Sequence, residues 1–241
     1  MTLQEQFGPI DIYLFDQILR GRITPGMRIL DAGCGGGRNL VYFLRAHSAG
    51  ESYEVYGVDA DPLAIAAIRD FTPETARNFH TEPIESMAFP DSFADVVISS
   101  AVLHFARDDD QFIAMLRGMW RVLKPGGLLF CRLASSIGIE TRVVPIAGRR
   151  HLLPDGSERY LVDEAMLVRL TEELGGALLD PIKTTVVQDQ RSMTTWVVKK
   201  LMDRARASDC SVHLTVAAHA QVLFKALCNG LSNPNRNCIA D

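Results

Sequence analysis

The stretch Ile29-Leu30-Asp31-Ala32-Gly33-Cys34-Gly35-Gly36-Gly37-Arg38-Asn39 constrains this chain more than any other. An apolar run that breaks into an acid and closely spaced glycines is a strand turning into a helix around a ligand. The glycines permit positive φ and close approach of the backbone, and the helix start beyond them offers unpaired N–H groups. The spacing excludes two common ligands. A dinucleotide fingerprint needs G-x-G-x-x-G, but counting from Gly33 puts Arg38 in the last position, and counting from Gly35 puts Leu40 there. A Walker-type phosphate loop needs a Lys followed by Ser or Thr after its last glycine, where this chain has Arg38-Asn39.

The surroundings of the loop read as alternating helices and strands. Ile10, Leu14 and Ile18 fall at helical spacing and give an amphipathic helix over Ile10 to Leu19, and Thr24-Pro25-Gly26 leads into the first strand. A helix continues over Leu40 to Ala46, and the alternation runs on to a fifth strand at Leu128 to Leu133. Such alternation gives a parallel sheet with helices on both faces. Beyond it, Asp163 to Leu174 reads as a helix with Asp163 as N-cap and Gly175-Gly176 as its stop. Leu178 to Val187 and Ser192 to Lys199 read as two closing strands. The pattern divides the chain into a main α/β domain over residues 1–200 and a C-terminal appendage over 201–241 with a helix from Val212 to Leu227.

With 241 residues and 47% hydrophobic content the chain can bury one sizeable core. Its formal net charge of -4 provides no positive field to recruit a polyanion, so nucleic acid is not an expected partner. The first residues carry Glu5, Asp11 and Asp16 and no basic segment leading into an apolar one, which is unlike a secretory leader. No stretch reaches the roughly 20 apolar residues of a membrane span, and the expectation is a soluble, cytoplasmic protein. Cys34, Cys131, Cys210, Cys228 and Cys238 are odd in number and form no C-x-x-C pair, so neither a disulfide framework nor a zinc site is expected.

The pattern Asp31-x-Gly33-x-Gly35-x-Gly37 resembles the class I S-adenosylmethionine (SAM)-dependent methyltransferases, and three further segments follow in the family's order. Val55-Tyr56-Gly57-Val58-Asp59 is similar to its second strand, Phe89 to Ile98 to its approach to the fourth strand, and Arg121 to Leu129 to the helix end, turn and fifth strand. The resemblance implies a Rossmann-like, doubly wound α/β fold with a seven-stranded sheet, mostly parallel with an antiparallel edge strand. It also implies SAM as cofactor and S-adenosylhomocysteine as product. Arg38-Asn39 after the last glycine is similar to the small-molecule and tellurite-resistance-type members.

Carried onto this chain, the family pattern puts Gly33, Gly35 and Gly37 under the methionine part and ribose, and turns Asp31 toward the ligand's amino group. Asp59, with Ala60 beside it, would take the ribose hydroxyls, for which a carboxylate with two oxygens is suited. Asp61 before Pro62 reads instead as a helix N-cap. At the adenine end the family's acid is replaced by Pro83, leaving the backbone N–H of Ile84, with Glu85 or Glu82 as substitute acids. Ser99, Ser100 and Ala101 end the fourth strand and should face the methyl donor. Arg38 has two readings, a contact to the ligand or an orienting role for the first helix.

His104 is the candidate general base or substrate-orienting group. Asp108-Asp109-Asp110 is explained by helix capping rather than by a metal, and no metal site is expected. The insertion Ser135 to Leu161 reads as a loop and carries Arg142, Arg149, Arg150, His151, Arg159 and Tyr160, a basic stretch suited to an anionic small molecule. The expected function is methyl transfer from SAM to a small-molecule acceptor. Arsenic chemistry fits less well, since only Cys34 and Cys131 lie in the catalytic core. The alternatives are a protein methyltransferase or a non-catalytic cofactor-binding or interaction protein that keeps the fold. The 201–241 segment reads as a lid, an oligomer contact or a poorly ordered extension, and no direct catalytic role is expected of it.

Overall fold

The structure, a computed structural model, describes residues 2–50 and 53–202. The 201–241 appendage, with its expected helix, lies outside the described residues from 203 onward.

The chain begins with a short helix α1 (Leu3–Phe7), which the sequence reading missed, although Thr2 and Glu5 form a capping box. Helix α2 (Ile12–Leu19) begins two residues later than expected because Asp11 is its N-cap, accepting from the Tyr13 N–H. Then follow β1 (Arg28–Ala32), α3 (Val41–Ser48), β2 (Glu54–Asp59), α4 (Pro62–Phe71) and β3 (Phe79–Thr81). Asp61 caps α4 with Pro62 in its first turn, as read from the sequence. Next come β4 (Ala94–Ser100), α5 (Asp109–Val122) and β5 (Leu123–Ala134), with Asp108 capping α5 through the Gln111 N–H.

Strand neighbours run β10-β11-β5-β4-β1-β2-β3, where β10 (Lys183–Val187) and β11 (Arg191–Lys200) are the closing strands. Pairing is parallel from β5 to β3, and β11 runs antiparallel to both β5 and β10. That is the expected doubly wound sheet with an antiparallel edge. A short further strand, β9 (Gly176–Leu178), adds to β11 after helix α6 (Glu164–Glu173).

Alternation along the strands sorts two cores. Ile29, Val96, Leu128 and Phe130 pack with Leu14, Phe43 and Ile65 from α2, α3 and α4. Leu30, Val97, Leu129 and Cys131 pack on the opposite face with Phe112 from α5 and Leu167 from α6. Both faces of the sheet are therefore dry, as a parallel sheet requires.

The insertion after β5 corrects the loop reading. It folds as a separate antiparallel sheet of β6 (Val144–Ala147), β7 (Arg150–Leu152) and β8 (Glu158–Tyr160). The turn Leu153-Pro154-Asp155-Gly156-Ser157 closes its second hairpin, with Gly156 at φ 81° and the Asp155 carboxylate accepting from the Ser157 N–H. Pro-Asp-Gly between two short strands is a turn with a mechanism. That signal was present in the sequence.

Candidate active site

The strand order reverses between β1 and β4, and ligands of such sheets bind beyond the carboxyl ends of the strands at that point. A cavity of about 410 Å³ lies there. Of the expected site residues, Gly33, Gly35, Asp59, Ala60, Ile84 and Glu85 line it. Asp31, Gly37, Arg38, Ser99, Ser100 and His104 do not.

The glycines have separate reasons. Gly33 has φ 88°, and a Cβ there would overlap Val102, which is itself a wall of the cavity. Gly37 has φ 80°, and its Cβ would stand 2.5 Å from Ile68 Cδ1 of α4. Gly35 has φ 50°, and nothing lies within 4 Å of where its Cβ would be. Its open side faces the cavity, so a bound molecule can lie against bare backbone there.

Asp59 at the end of β2 is tied at both oxygens, Oδ2 accepting from the Gly35 N–H at 2.8 Å and Oδ1 from the Asp61 N–H at 2.9 Å. A carboxylate offers about four acceptor positions. These two bonds orient the group and leave lone pairs for a diol.

Asp31 is only 1% exposed, and neither carboxylate oxygen has a hydrogen-bond partner among the described residues. Burial pushes its pKa up to about 7, Arg38 opposes that rise, and the Asp59 charge adds to it. A buried, unpartnered acid at the glycine loop is costly unless a cation arrives. Ser99 Oγ is likewise buried without a partner.

Arg38 turns away from the cavity. Its Nη2 donates to Ser100 Oγ at 2.9 Å and its Nη1 to the Pro9 carbonyl at 3.4 Å. Ser100 in turn donates to Asp11 Oδ2, which also receives Arg132 Nη1 at 2.9 Å. Both Arg38 and Ser100 thus belong to a polar cluster under helix α2, and of the two readings of Arg38 the geometry matches the orienting one.

His104 is buried, and its Nδ1 accepts from the Ala134 N–H at 3.2 Å. The acceptor nitrogen carries no proton, so the neutral ring is the Nε2–H tautomer. Burial, reinforced by the Arg159 charge, lowers its pKa to about 4, and the ring is neutral at physiological pH. Its neighbour Phe105, 59% exposed, lines the cavity instead, with the Arg159 guanidinium 4.8 Å from the ring centroid. The basic character of the insertion is largely spent internally. Arg149 pairs with Asp163, Arg150 with Glu158, His151 donates to its neighbour's carbonyl, and Tyr160 is buried.

Ala101, expected to face the methyl donor, lines the cavity and adopts φ 64° immediately after β4, a strained position for a residue with a side chain. Val102, Phe105, Gln111 and Met115 are wall residues that went unread. Gln111 and Met115 stand four apart on α5, so one helix face supplies both. The i, i+4 spacing behind the Asp108 cap was the available signal. Glu82, the other acid considered for the adenine end, is occupied by the Ala88 N–H and His80.

Comparison with known proteins identifies the family. A methyltransferase-domain family model matches residues 30–131. A ubiquinone biosynthesis O-methyltransferase from Chelativorans sp. is 30% identical over 203 residues, 80% of this chain and 71% of that protein. An arsenite methyltransferase from Aquipseudomonas alcaligenes is 35% identical over 118 residues, but the match spans only 33% of its length. Among solved structures, a SAM-dependent methyltransferase from Methanosarcina mazei superposes with a TM-score of 0.62 at 22% identity, covering 77% of this chain and 98% of that one, which speaks for the fold. The chain belongs to the class I SAM-dependent methyltransferases. The cofactor of the family is SAM, and the residues fit it: an orphaned acid for an ammonium, an open glycine for close approach, and a tethered carboxylate for a diol.

Proposed function

We propose that the protein transfers a methyl group from SAM to a small-molecule acceptor by in-line displacement and releases S-adenosylhomocysteine. The observation that carries this reading is Asp59, held by two backbone N–H groups at the edge of the cavity with lone pairs to spare. In the proposal Asp59 takes the ribose hydroxyls, Asp31 the amino group, Gly33 and Gly35 the close backbone contact, and Ile84 and Glu85 the adenine edge. When bound, SAM supplies the electrophilic methyl. The chain's own contribution is to hold, align and keep water out, and Val102, Phe105 and Met115 provide an apolar wall for that purpose.

His104 fits a positioning role better than that of a base, because its one free lone pair is already engaged by Ala134. An acceptor that ionises readily or is already an anion needs no base. Arg159 over Phe105 is the cation that favours such an acceptor at the cavity mouth. Relatives named for ubiquinone and arsenite support a small molecule. Arsenic itself is not favoured: Cys34 and Cys131 are buried and their thiols pushed up by burial, so neither offers a thiolate.

The test is calorimetric titration with SAM, S-adenosylhomocysteine and NAD. Binding of the adenosyl ligands without NAD is expected, and Asp59→Ala should weaken it by about 1.5–3 kcal/mol through lost charge-assisted hydrogen bonds. Absence of adenosyl binding overturns the proposal, and binding without acceptor-dependent product across a panel of small molecules favours the non-catalytic alternative.

A further inference from the structure

Asp31 and Ser100 lie on one face of neighbouring strands: Asp31 is in register with Ile98 of β4, and Ser100 is two residues further along. Two residues along a strand return to the same face. Arg38 is anchored to that Ser100 hydroxyl and to the Pro9 carbonyl, with no carboxylate within ion-pair distance among the described residues. Ser100 is fixed by Asp11, whose side chain is fully buried and is shared with Arg132. The segment at the start of helix α2 therefore anchors a guanidinium to the same sheet face as Asp31, a buried acid without a hydrogen-bond partner among the described residues.

We infer that Arg38 is a positioning residue for the methyl donor: held under the α2 segment by Ser100 and Pro9, it favours the ionised Asp31 carboxylate that receives the donor's ammonium, without touching the donor itself. This inference rests on the reading of the cavity as the SAM site.

The charged and titratable groups that face Asp31 are few. Arg38 favours its ionised form, Asp59 from β2 disfavours it, and Cys34 in the loop is a neutral thiol. Asp11 from α2 and Arg132 from β5 form an ion pair of their own one step away. Removing the Arg38 charge leaves burial and Asp59 unopposed. A nearby opposite charge lowers a carboxyl titration, and each unit of displacement is a factor of ten.

The experiment is titration of the full chain with S-adenosylhomocysteine at intervals from pH 6 to 8.5, for wild type, Arg38→Gln and Arg38→Lys, with 5′-methylthioadenosine as a ligand that lacks the amino acid. Arg38→Gln should bind S-adenosylhomocysteine about tenfold more weakly than wild type at pH 6.5, with the gap closing to about twofold or less by pH 8.5. Arg38→Lys should follow wild type, and 5′-methylthioadenosine should show no such gap. Ligand titration is common to all variants and cancels in the ratio. If Arg38→Gln does not fold, Ser100→Ala, which frees the guanidinium, should give a smaller gap of the same pH dependence.

A gap that stays constant across pH would mean Arg38 contacts the ligand directly, and no gap would leave it a structural residue. Either result overturns the inference. Failure of the wild type to bind S-adenosylhomocysteine at any pH would instead remove the donor-site reading on which it stands.

Discussion

The two sides of the cavity are built on different principles. On the proposed reading, the donor side, from β1 to the turn after β3, is made of backbone: Gly33 and Gly35 at φ 88° and 50° and an aspartate tethered by two N–H groups line the cavity, with Gly37 and the buried Asp31 outside its lining. On the same reading, the acceptor side is made of side chains brought together by tertiary packing. Phe105 comes from the turn after β4 and Met115 from α5, and Arg159 of the small sheet β6-β7-β8 lies over the Phe105 ring. Donor recognition is therefore sensitive to single backbone positions, whereas the insertion holds its own charges in local pairs and tolerates loss of one.

The comparison breaks most visibly at Gly33. Alanine there would have to adopt a left-handed conformation, costing about 1–2 kcal/mol, and its Cβ would overlap the β-branched Val102, costing about 1–3 kcal/mol more through overpacking. Gly33→Ala should lower thermal stability and remove most S-adenosylhomocysteine affinity. Gly36→Ala is the control, since Gly36 has no positive φ and open space at its Cβ position. Equal behaviour of the two variants would show that the loop is not under steric constraint.

This contrast also accounts for what could be read from the sequence. Asp31, the glycines and Asp59 were legible as candidates because they sit in a short local motif at a strand end, and the family resemblance supplied the roles proposed for them. The parallel sheet with helices on both faces followed from strand-helix alternation, its antiparallel edge from the family resemblance, and Asp61 and Asp108 from capping chemistry. Arg38, Ser100 and His104 were placed on the right loops, but the groups their side chains bond were not read. Their partners, Pro9, Asp11 and Ala134, are 29, 89 and 30 residues away, and no local pattern reports such pairings. The insertion was misread for a different reason: its strands are 3 or 4 residues long, too short for alternation to show, and only the Pro-Asp-Gly turn betrays it.

A smaller effect of opposite sign on stability is expected at Asp31. Its pKa is about 7 in the fold against an ordinary value of 3.8. Between those two pH values the folded state holds a proton that the unfolded chain has lost, so stability falls as pH rises through that window and stays lower above it. At about 1.4 kcal/mol per unit, this is a few kcal/mol of cost at neutral pH. Asp31→Asn lacks the ionisation, and should raise the melting temperature of the ligand-free protein at pH 8 relative to wild type while weakening S-adenosylhomocysteine binding by about 1.5–3 kcal/mol. A variant that loses both stability and binding would show that the acid is structural.

The smallest effect tests the other side of the comparison. Arg149 reaches from the turn before β7 to Asp163, the N-cap of α6, at 2.9 Å, with the two side chains 33% and 39% exposed. Half-exposed ion pairs contribute about 1 kcal/mol or less, because solvent screens the attraction and two long side chains lose freedom. Asp163 would keep its hydrogen bond from the Met166 N–H, so the helix cap survives the loss. Arg149→Ala should therefore change stability by less than about 1 kcal/mol and leave S-adenosylhomocysteine affinity at the wild-type value across pH. If affinity for the methyl donor fell as far as in Asp31→Asn, the small sheet would have to be part of donor recognition, and the division between a backbone-built donor side and a self-paired acceptor side would fail.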